Sequence, residues 1–428
     1  MTQHQLIQQV RLLDGVSQTD RVGDVLIGEG VILAIAPQIT DLPPATEVID
    51  GRDQVLLPGL VDLYSQSGEP GHEQRETLSS LMRSAAAGGV TRLGILPTTS
   101  PALDQPALLA ALHRRRQEQP PPAVLPHLYP WAALTVAAQG QQMAALGELA
   151  LAPSVGFSDG QPLPHALLLQ RLLQYLQPLG KPVALWPCDP SLRANGVARE
   201  GAHALIYGLS MDPPSSETAP LAALLEMVAL VGTPIHLMRL STARGVALIA
   251  EAKAQGLPIT ASTSWLHLLL SSRDLHGYDA NLRLAPPLGT PEDQAALMAA
   301  VKTGVIDAIA IDHTPYTYEE KTVGFAAAPP GAIGLELAWP LLWQHLVTEG
   351  DWSALELVQA LSTRPAQCWG QLPACLQIGQ PAELALFDPA CPWTVNAASL
   401  QSLSANTSWW GERIRGRILR TWVPIAPA

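Results

Sequence analysis

The chain has 428 residues, of which 47% are apolar and 14% charged, and its net charge is −12. This balance argues against nucleic acid and anionic membrane as partners, because both bind through a basic footprint. The charged fraction lies below the roughly 25% typical of soluble proteins, which favours burial of surface in a homo- or hetero-oligomer. No apolar run reaches membrane-spanning length, and the N-terminal MTQHQLIQQV lacks the pattern of a signal peptide. Because the four cysteines form no CxxC pair, we expect reduced thiols in the cytoplasm.

Both ends of the chain show the pattern of short antiparallel strands. DVLIGEGVILAIAP and EVIDGRDQVLLPG lie near the start, and QIGQPAELALFDP and ERIRGRILRTWVP lie near the end. Period-two alternation bounded by Gly and Pro is typical of such strands.

The middle of the chain alternates β-type runs with longer segments of helical period, such as RETLSSLMRSAAAGG and TARGVALIAEAKAQG. The eight β-type runs are LPGLVDLY, VTRLGILPT, AVLPHLYPW, APSVGFSD, PVALWPC, TPIHLMRLS, LPITASTSW and VIDAIAIDH. Eight strand–helix units over about 300 residues predict an α/β fold, the (β/α)8 barrel, with its chemistry at the C-terminal ends of the strands.

Several of these segments resemble dihydroorotases of the cyclic amidohydrolase superfamily. They are VLLPGLVDLY with GEPGHEQRETLSSLMRSAAAGGVTRLGILPTTSP, then GFSDG, CDPSL, HLMRLSTA, LRLAPPLGTPEDQAALMAAVKTGVIDAIAIDHTPY and GQPAELALFD. The resemblance covers essentially the whole chain in the family's order. It implies a small β-sandwich made from residues 1–56 and 366–428 around a barrel of residues 57–365.

The resemblance also implies a metal site at the strand ends. Active members hold zinc with a His-x-His after strand one, an aspartate after strand four, histidines after strands five and six, and an aspartate after strand eight. Imidazole and carboxylate ligands suit Zn²⁺, which lowers the pKa of a bound water so that hydroxide forms. In this chain the six positions hold Tyr64, Gln66, Asp159, Trp186, Arg239 and Asp312. Asp312 is the retained catalytic position, where the family's carboxylate shuttles a proton.

The changed positions predict a protein without a cofactor. Other family positions are also replaced. The arginine that the resemblance places on the substrate carboxylate is Gly68, and the family's asparagine, arginine and second histidine further along are Ala285, Gly289 and Tyr316. Arg239 is a fixed cation that repels Zn²⁺. Because a buried guanidinium needs an anionic partner, we predict that Arg239 pairs with Asp159 or Asp312 at the old metal site.

Other candidate ligands have structural interpretations. We expect His236 inside the barrel core and His313 on the opposite side of the chain from Asp312. His72 lies outside the family's metal positions, and Cys188 is expected to be a small buried apolar residue. A mononuclear site made from Asp159, Asp312 and one histidine is the alternative.

Three further features stand outside the strand ends. The run His113–Arg116 is expected to end a helix in solvent, or else to dock an acidic partner. Trp409 and Trp410 are expected to pack the sandwich against the barrel, or to anchor an interface. Lys321 and the Pro-Pro-Gly at 329–331 are expected to preserve the shape of a loop beside the site.

Three functions follow from this interpretation. The resemblance implies a non-catalytic scaffold subunit for aspartate carbamoyltransferase in pyrimidine biosynthesis. The second hypothesis is an active zinc-dependent dihydroorotase or related cyclic amidohydrolase with an atypical metal site. The third is a small-molecule sensor whose pocket is lined by the replaced positions Tyr64, Gln66, Trp186 and Arg239.

Overall fold

A parallel barrel and a sheet built from both chain ends make up the protein, as a computed structural model shows for residues 4–118, 125–163 and 165–424. The strands are β1 (Gln5–Asp14), β2 (Thr19–Gly28), β3 (Val31–Ala36), β4 (Glu47–Asp50), β5 (Val55–Pro58), β6 (Leu60–Ser65), β7 (Val90–Ile95), β8 (His127–Ala132), β9 (Gly156–Phe157), β10 (Ala184–Leu185), β11 (Ala198–Arg199), β12 (Met211–Asp212), β13 (Ile235–Leu237), β14 (Ile259–Ser264), β15 (Ala308–Ala310), β16 (Leu384–Thr394) and β17 (Arg413–Trp422). The helices are α1 (Leu78–Ala87), α2 (Pro106–Gln117), α3 (Leu146–Ala150), α4 (Ala166–Leu176), α5 (Pro190–Arg193), α6 (Ala202–Ile206), α7 (Ser215–Val231), α8 (Ala243–Ala254), α9 (Trp265–Leu269), α10 (Pro291–Thr303), α11 (Tyr318–Lys321), α12 (Ala338–Leu342), α13 (Ala354–Val358) and α14 (Arg364–Cys368).

The barrel consists of two four-stranded parallel sheets, in the orders β6-β7-β8-β9 and β10-β13-β14-β15. A parallel bridge between Phe157 and Val183 joins the sheets at one seam. At the other seam the backbone N–H of Gln66 donates to the carbonyl of His313 over 2.8 Å. Each of the eight predicted runs coincides with one of these strands to within one residue at its C-terminal end or contains it entirely, so the predicted α/β barrel is confirmed. Positions 123 and 124 of the third run lie outside the described residues.

The sheet from the chain ends has the order β17-β16-β5-β1-β2-β3, with β4 beside β1. Strand β5 continues to Pro58, past the predicted domain limit at residue 56, because Leu384 of β16 pairs with Pro58 and Phe387 pairs with Val55. The sheet has its own apolar cluster, which includes Ile7, Val25, Ile32, Leu56 and Leu384.

The barrel helices begin and end at the signals that the sequence carries. Both helical segments quoted above form helices, α1 and α8, and each begins after a threonine that caps it. Helix α10 begins with a capping box between Thr290 and Asp293, has Pro291 in its first turn, and ends at Gly304 with a φ of 80°. None of the described helices is long and apolar enough to cross a membrane.

The two C-terminal tryptophans behave differently from each other. Trp409 stacks on Trp265 of α9, with ring centroids 5.4 Å apart, which confirms its predicted packing against the barrel. Trp410 is 43% exposed, and the alternative role as an interface anchor stays a prediction for it.

Candidate functional site at the carboxyl end of the barrel

An ion pair occupies the centre of the barrel's carboxyl end. Nε of Arg239 donates to Oδ2 of Asp312 over 2.7 Å, and Nη2 donates to Oδ1 over 2.7 Å. The third nitrogen, Nη1, donates to the carbonyl of Gly160 over 3.0 Å. Arg239 is 4% exposed. The predicted pairing of this arginine with a retained aspartate is therefore confirmed, and the partner is Asp312.

Two other replaced metal positions enclose the cation. The guanidinium carbon of Arg239 lies 4.9 Å from the ring centroid of Trp186 and 5.6 Å from that of Tyr64. The Tyr64 hydroxyl accepts from the backbone N–H of Arg239 over 3.1 Å and lies 2.8 Å from the Ser262 hydroxyl. Burial opposes the charge of Arg239, but Asp312 outweighs burial and raises the pKa of the guanidinium. The guanidinium of Arg239 therefore stays charged.

The backbone holds both members of the pair in unusual conformations. Arg239 has a φ of 56° and Asp312 a φ of 51°, in the left-handed region, where a non-glycine residue costs on the order of 1–3 kcal/mol. Asp62 supports this turn, since its Oδ1 accepts from the backbone N–H of Ile311 over 2.8 Å. Complete burial raises the pKa of Asp62 to about 7. Asp62 was missed by the sequence analysis, although a carboxylate within the apolar run LPGLVDLY was a usable signal.

Asp159 does not join the ion pair. Its carboxylate accepts from the backbone N–H groups of Leu134 (2.8 Å) and Thr135 (3.0 Å) and from the Thr135 hydroxyl. Burial raises the pKa of Asp159. Four of the six former metal positions therefore lie together, with Tyr64, Trp186 and Asp312 around Arg239. Asp159 instead accepts hydrogen bonds from the turn after β8. Gln66, the sixth position, lines the cavity described below.

The remaining candidate ligands lie in other surroundings. His236 is buried, with Nδ1 2.9 Å from the Thr260 hydroxyl and Nε2 2.8 Å from Ser262, and burial lowers its pKa to about 3. His313 faces away from Asp312, since its Nδ1 accepts from the backbone N–H of Gly334 over 3.2 Å. Both predictions are confirmed, as is the burial of Cys188, which raises the pKa of its thiol to about 11.

Two positions that hold arginine in the family have no room for a side chain. A Cβ at Gly68 would lie 2.3 Å from the carbonyl oxygen of Glu76 and 2.6 Å from that of His72. A Cβ at Gly289 would lie 2.7 Å from Cβ of Asp293. Restoring an arginine at either position therefore requires the neighbouring chain to move.

Two flanking segments hold their loops in place. Lys321 is buried and donates to the carbonyls of Ala280 (3.0 Å) and Pro329 (2.7 Å), which confirms its expected role in loop shape. The basic run ends α2 as expected, but it is not simply solvated. Arg115 pairs with Glu69, and Nε of Arg116 donates to the carbonyl of Pro126 over 2.8 Å.

The donor set does not fit a zinc ion. In the described parts of the chain no three His, Cys, Asp or Glu side chains converge so as to hold a metal. Asp312 is engaged by a guanidinium, and Asp159 is engaged by three donors of its own. The side chains present therefore provide no centre from which a water could be activated by a metal.

A cavity of about 310 Å³ opens beside the ion pair. Its lining residues are Gln66, Thr98, Gln161, Trp186, Arg193, Arg239, Ser264, Leu266, His267, Leu284, Ala285, Pro286, Asp312, Thr314, Tyr316, Pro330, Gly331 and Ala332. Three of the four positions expected to line a sensor pocket do so, and Tyr64 lies beneath the surface of the cavity at 0% exposure. Arg193 and His267 were not predicted from the sequence to line it.

Comparisons with known proteins agree with this architecture. The profile of the Dihydro-orotase-like family matches residues 53–243. A probable dihydroorotase-like protein of Synechocystis sp. is 45% identical, over 96% of this chain and 98% of that protein. A dihydroorotase of Anaeromyxobacter dehalogenans is 36% identical, over 96% and 95% of the two chains. The solved L-hydantoinase of Arthrobacter aurescens is 20% identical and superposes with a TM-score of 0.84 over 100% of this chain and 98% of its own, so the fold is shared. The chain belongs to the dihydroorotase-like family.

Proposed function

We propose that this chain is a non-catalytic member of its family. One observation carries the proposal, the bidentate ion pair between Arg239 and Asp312 at the position of the family's metal. Hydrolysis of a cyclic amide by this family requires a metal-bound hydroxide and a free carboxylate to move the proton. Here a cation replaces the metal, and the carboxylate is held by that cation.

We further propose that the chain acts in the cytoplasm as a scaffold subunit for aspartate carbamoyltransferase in pyrimidine biosynthesis. The intact barrel, in whose described residues no group of side chains could hold a metal ion, supports a role in assembly. So do the exposed apolar side chains Leu205 and Ile206 of α6, which are 71% and 73% exposed, close in sequence to Met211 at 42%. Exposed apolar groups of this kind are typical of protein contact surfaces.

Metal content and turnover test the first proposal. The purified chain is analysed for zinc and assayed with dihydroorotate and with carbamoyl aspartate, beside the dihydroorotase of Anaeromyxobacter dehalogenans as the positive control. We expect zinc well below one atom per chain and no turnover above background. Stoichiometric zinc with turnover would establish the atypical metal site instead, and the chain would be an enzyme.

Mixing with the transferase tests the second proposal. We expect the chain and the aspartate carbamoyltransferase of the same organism to co-elute in size-exclusion chromatography and the transferase to gain thermal stability. The double variant Leu205→Asp/Ile206→Asp should abolish co-elution. Leu372→Asp is the matched control, because Leu372 is 88% exposed in a different part of the chain. Separate elution of the two unmodified proteins at micromolar concentration would rule out the scaffold role.

A further inference from the structure

The amino end of the barrel has a cavity of its own, which we call the amino-end cavity. Its volume is about 500 Å³. Val183, Pro234 and Pro258 line it and immediately precede β10, β13 and β14, and Trp369, which follows α14, forms another part of the wall. Because the ion pair lies at the carboxyl end of the strands, the amino-end cavity is separate from the site described above.

The wall of the amino-end cavity presents more apolar than polar surface. Of the described residues that line it, Lys181 alone is charged. The ammonium group of Lys181 donates to the carbonyls of Ala152 (3.4 Å) and Ser154 (3.1 Å) and to the Ser154 hydroxyl (3.3 Å). These contacts use all three of its protons, so the cavity offers no free charge to an ionic ligand. Mostly apolar cavities of about 300–1,000 Å³ are typical of sites for small molecules.

A row of hydrogen-bonding side chains runs through the barrel from the ion pair to this cavity. The Tyr64 hydroxyl accepts from the backbone N–H of Arg239 over 3.1 Å and lies 2.8 Å from the Ser262 hydroxyl. Ser262 lies 2.8 Å from Nε2 of His236, whose Nδ1 is 2.9 Å from the Thr260 hydroxyl. Both His236 and Thr260 line the amino-end cavity.

One orientation of the protons satisfies every donor in this row. Tyr64 and Ser262 are 0% exposed, and within the described residues their hydroxyls have no further hydrogen-bond partner. Tyr64 therefore donates to Ser262, and Ser262 donates to Nε2 of His236. Burial lowers the pKa of His236 to about 3, so its one ring proton lies on Nδ1 and goes to Thr260. The hydroxyl proton of Thr260 must then find an acceptor outside the row.

The protein itself offers Thr260 a weak acceptor. The Thr260 hydroxyl adjoins the thiol of Cys368, which also lines the cavity. Burial raises the pKa of this thiol to about 12, so the sulfur is protonated, and a neutral sulfur accepts hydrogen bonds poorly. Thr260 is partly exposed. An oxygen atom of a ligand would be a better acceptor than the sulfur.

We infer that the amino-end cavity binds a small, uncharged molecule that has an apolar body and one hydrogen-bond acceptor, such as a carbonyl oxygen. The apolar body packs between Trp369 and the residues that precede the three strands, and the oxygen accepts from the hydroxyl of Thr260. The inference does not depend on the proposed function, because the two sites lie at opposite ends of the barrel.

Binding of acetophenone to the full-length chain tests the location of the site. A titration followed by saturation-transfer NMR should show saturable binding. Gln367 is exposed and lines the cavity, so Gln367→Trp should fill the space and weaken binding roughly tenfold or more, since overpacking carries a penalty of this size. Gln141→Trp is the matched control, because Gln141 is exposed outside the cavity. An absence of binding, or equal binding by the two variants, overturns the inference.

Two further probes test the chemistry of the ligand. Ethylbenzene has nearly the shape of acetophenone but no acceptor, and benzoate carries a charge. We expect acetophenone to bind roughly three to ten times more tightly than ethylbenzene, the usual contribution of one hydrogen bond, and more tightly than benzoate. Equal binding of acetophenone and ethylbenzene would contradict the assigned donor, and tighter binding of benzoate would contradict an uncharged ligand.

The variants Thr260→Val and Thr260→Ser test the donor itself. Thr260→Val keeps the shape of the side chain and should reduce acetophenone binding to the level of ethylbenzene, whereas Thr260→Ser should keep the preference. A preference that survives in Thr260→Val would overturn the role of this hydroxyl. Thr260→Val also leaves Nδ1 of His236 without an acceptor, so the melting temperatures of both variants are measured first. If Thr260→Val does not fold, the comparison of the probes on the unmodified chain still decides.

Discussion

Asp312 and His313 are adjacent in the chain, yet they face two buried polar regions that are built in opposite ways. On the cavity side, the carboxylate of Asp312 is matched by one guanidinium in a bidentate pair. On the other side, His313 lies among Glu76, Glu336 and the backbone of residues 401–403, which we call the strap cluster. There Nε2 of His313 is 3.6 Å from Glu76.

The strap cluster holds its charges mainly through neutral donors. Glu76 accepts from the Ser402 hydroxyl and from the backbone N–H of Leu403 over 3.1 Å. Glu336 accepts from the backbone N–H groups of Gln401 (2.9 Å) and Ser402 (3.1 Å). Burial raises the pKa of Glu336 to about 7. Burial also opposes the charge of Glu76, but His313 together with the Ser402 and Ser80 hydroxyls outweighs it and lowers the pKa of Glu76.

The two regions are therefore expected to respond differently to mutation and to pH. The cavity pair is one interaction between two full charges, so loss of either member leaves the other charge buried alone. The strap cluster spreads its interactions over dipoles and contains a carboxyl that titrates near neutrality. We therefore expect the cavity side to be sensitive to mutation and the strap side to be sensitive to pH.

The largest effect on stability is expected from breaking the ion pair between Arg239 and Asp312. Asp312→Asn leaves the buried guanidinium of Arg239 without its counter-charge and should lower the free energy of unfolding by about 3–5 kcal/mol. The double variant Arg239→Met/Asp312→Leu removes both charges and should be about as stable as the unmodified chain, or more stable. Urea denaturation measures both values.

Asp351→Asn is the control for this cycle, because Asp351 pairs with Lys302 at an exposed position and exposed pairs contribute little. If the double variant lost as much stability as the single variant, the ion pair would itself stabilise the fold. The loss in the single variant could then not be assigned to an unpaired buried charge.

The next effect concerns pH and the strap cluster. Because the folded pKa of Glu336 is about 7 and its ordinary value is 4.5, the folded chain binds this proton more tightly than the unfolded chain. The resulting stabilisation is present below about pH 4.5 and is lost as pH rises through 7. Glu336→Gln should remove this dependence, which amounts to on the order of 3 kcal/mol between pH 4.5 and pH 8.

The measurement compares urea denaturation of the two chains at both pH values. The difference isolates Glu336 from Asp62, which titrates in the same range. Glu226→Gln is the control, since Glu226 is exposed on α7. Identical pH profiles for the unmodified and Glu336→Gln chains would show that the carboxyl is not held neutral by its surroundings.

The smallest effect is expected at the loop that leads into the strap cluster. Gly68→Ala places a Cβ 2.3 Å from the carbonyl of Glu76 and should cost about 1–3 kcal/mol of stability. Gly277→Ala is the control, since a Cβ there meets nothing within 4 Å. An unchanged melting temperature for Gly68→Ala would mean that the backbone near Glu76 can move to accept the added Cβ without loss of stability.

Much of the fold follows from the sequence because its two patterns are local. These are the period-two alternation at the chain ends and the alternation of apolar runs with helical segments in the middle. Each barrel strand is a short apolar run followed by a helical segment, so the periodicity predicts the order of strands and helices. The barrel that this order implies has the carboxyl ends of all its strands on one face. The sequence likewise predicts an anionic partner for Arg239, because a buried guanidinium needs one. The choice of Asp312 over Asp159 could not be predicted, because it depends on two left-handed backbone positions and on Thr135, which satisfies Asp159.

The cavity beside the ion pair shows where prediction from the sequence stops. Arg193 and His267 both line it, although they follow different strands of the barrel, β10 and β14. Nothing in the local sequence of either residue predicts that the two share one cavity.

The sheet shared by both chain ends can be completed only when nearly the whole chain has been synthesised. Strand β5 pairs on one side with β16, which leaves the ribosome only after the whole barrel has been made. At about 5–20 residues per second, that edge of β5 waits on the order of tens of seconds for its partner. An unpaired apolar edge is a template for aggregation. Chains released before β16 therefore present the edge permanently, and we expect premature termination to yield insoluble protein rather than a free barrel.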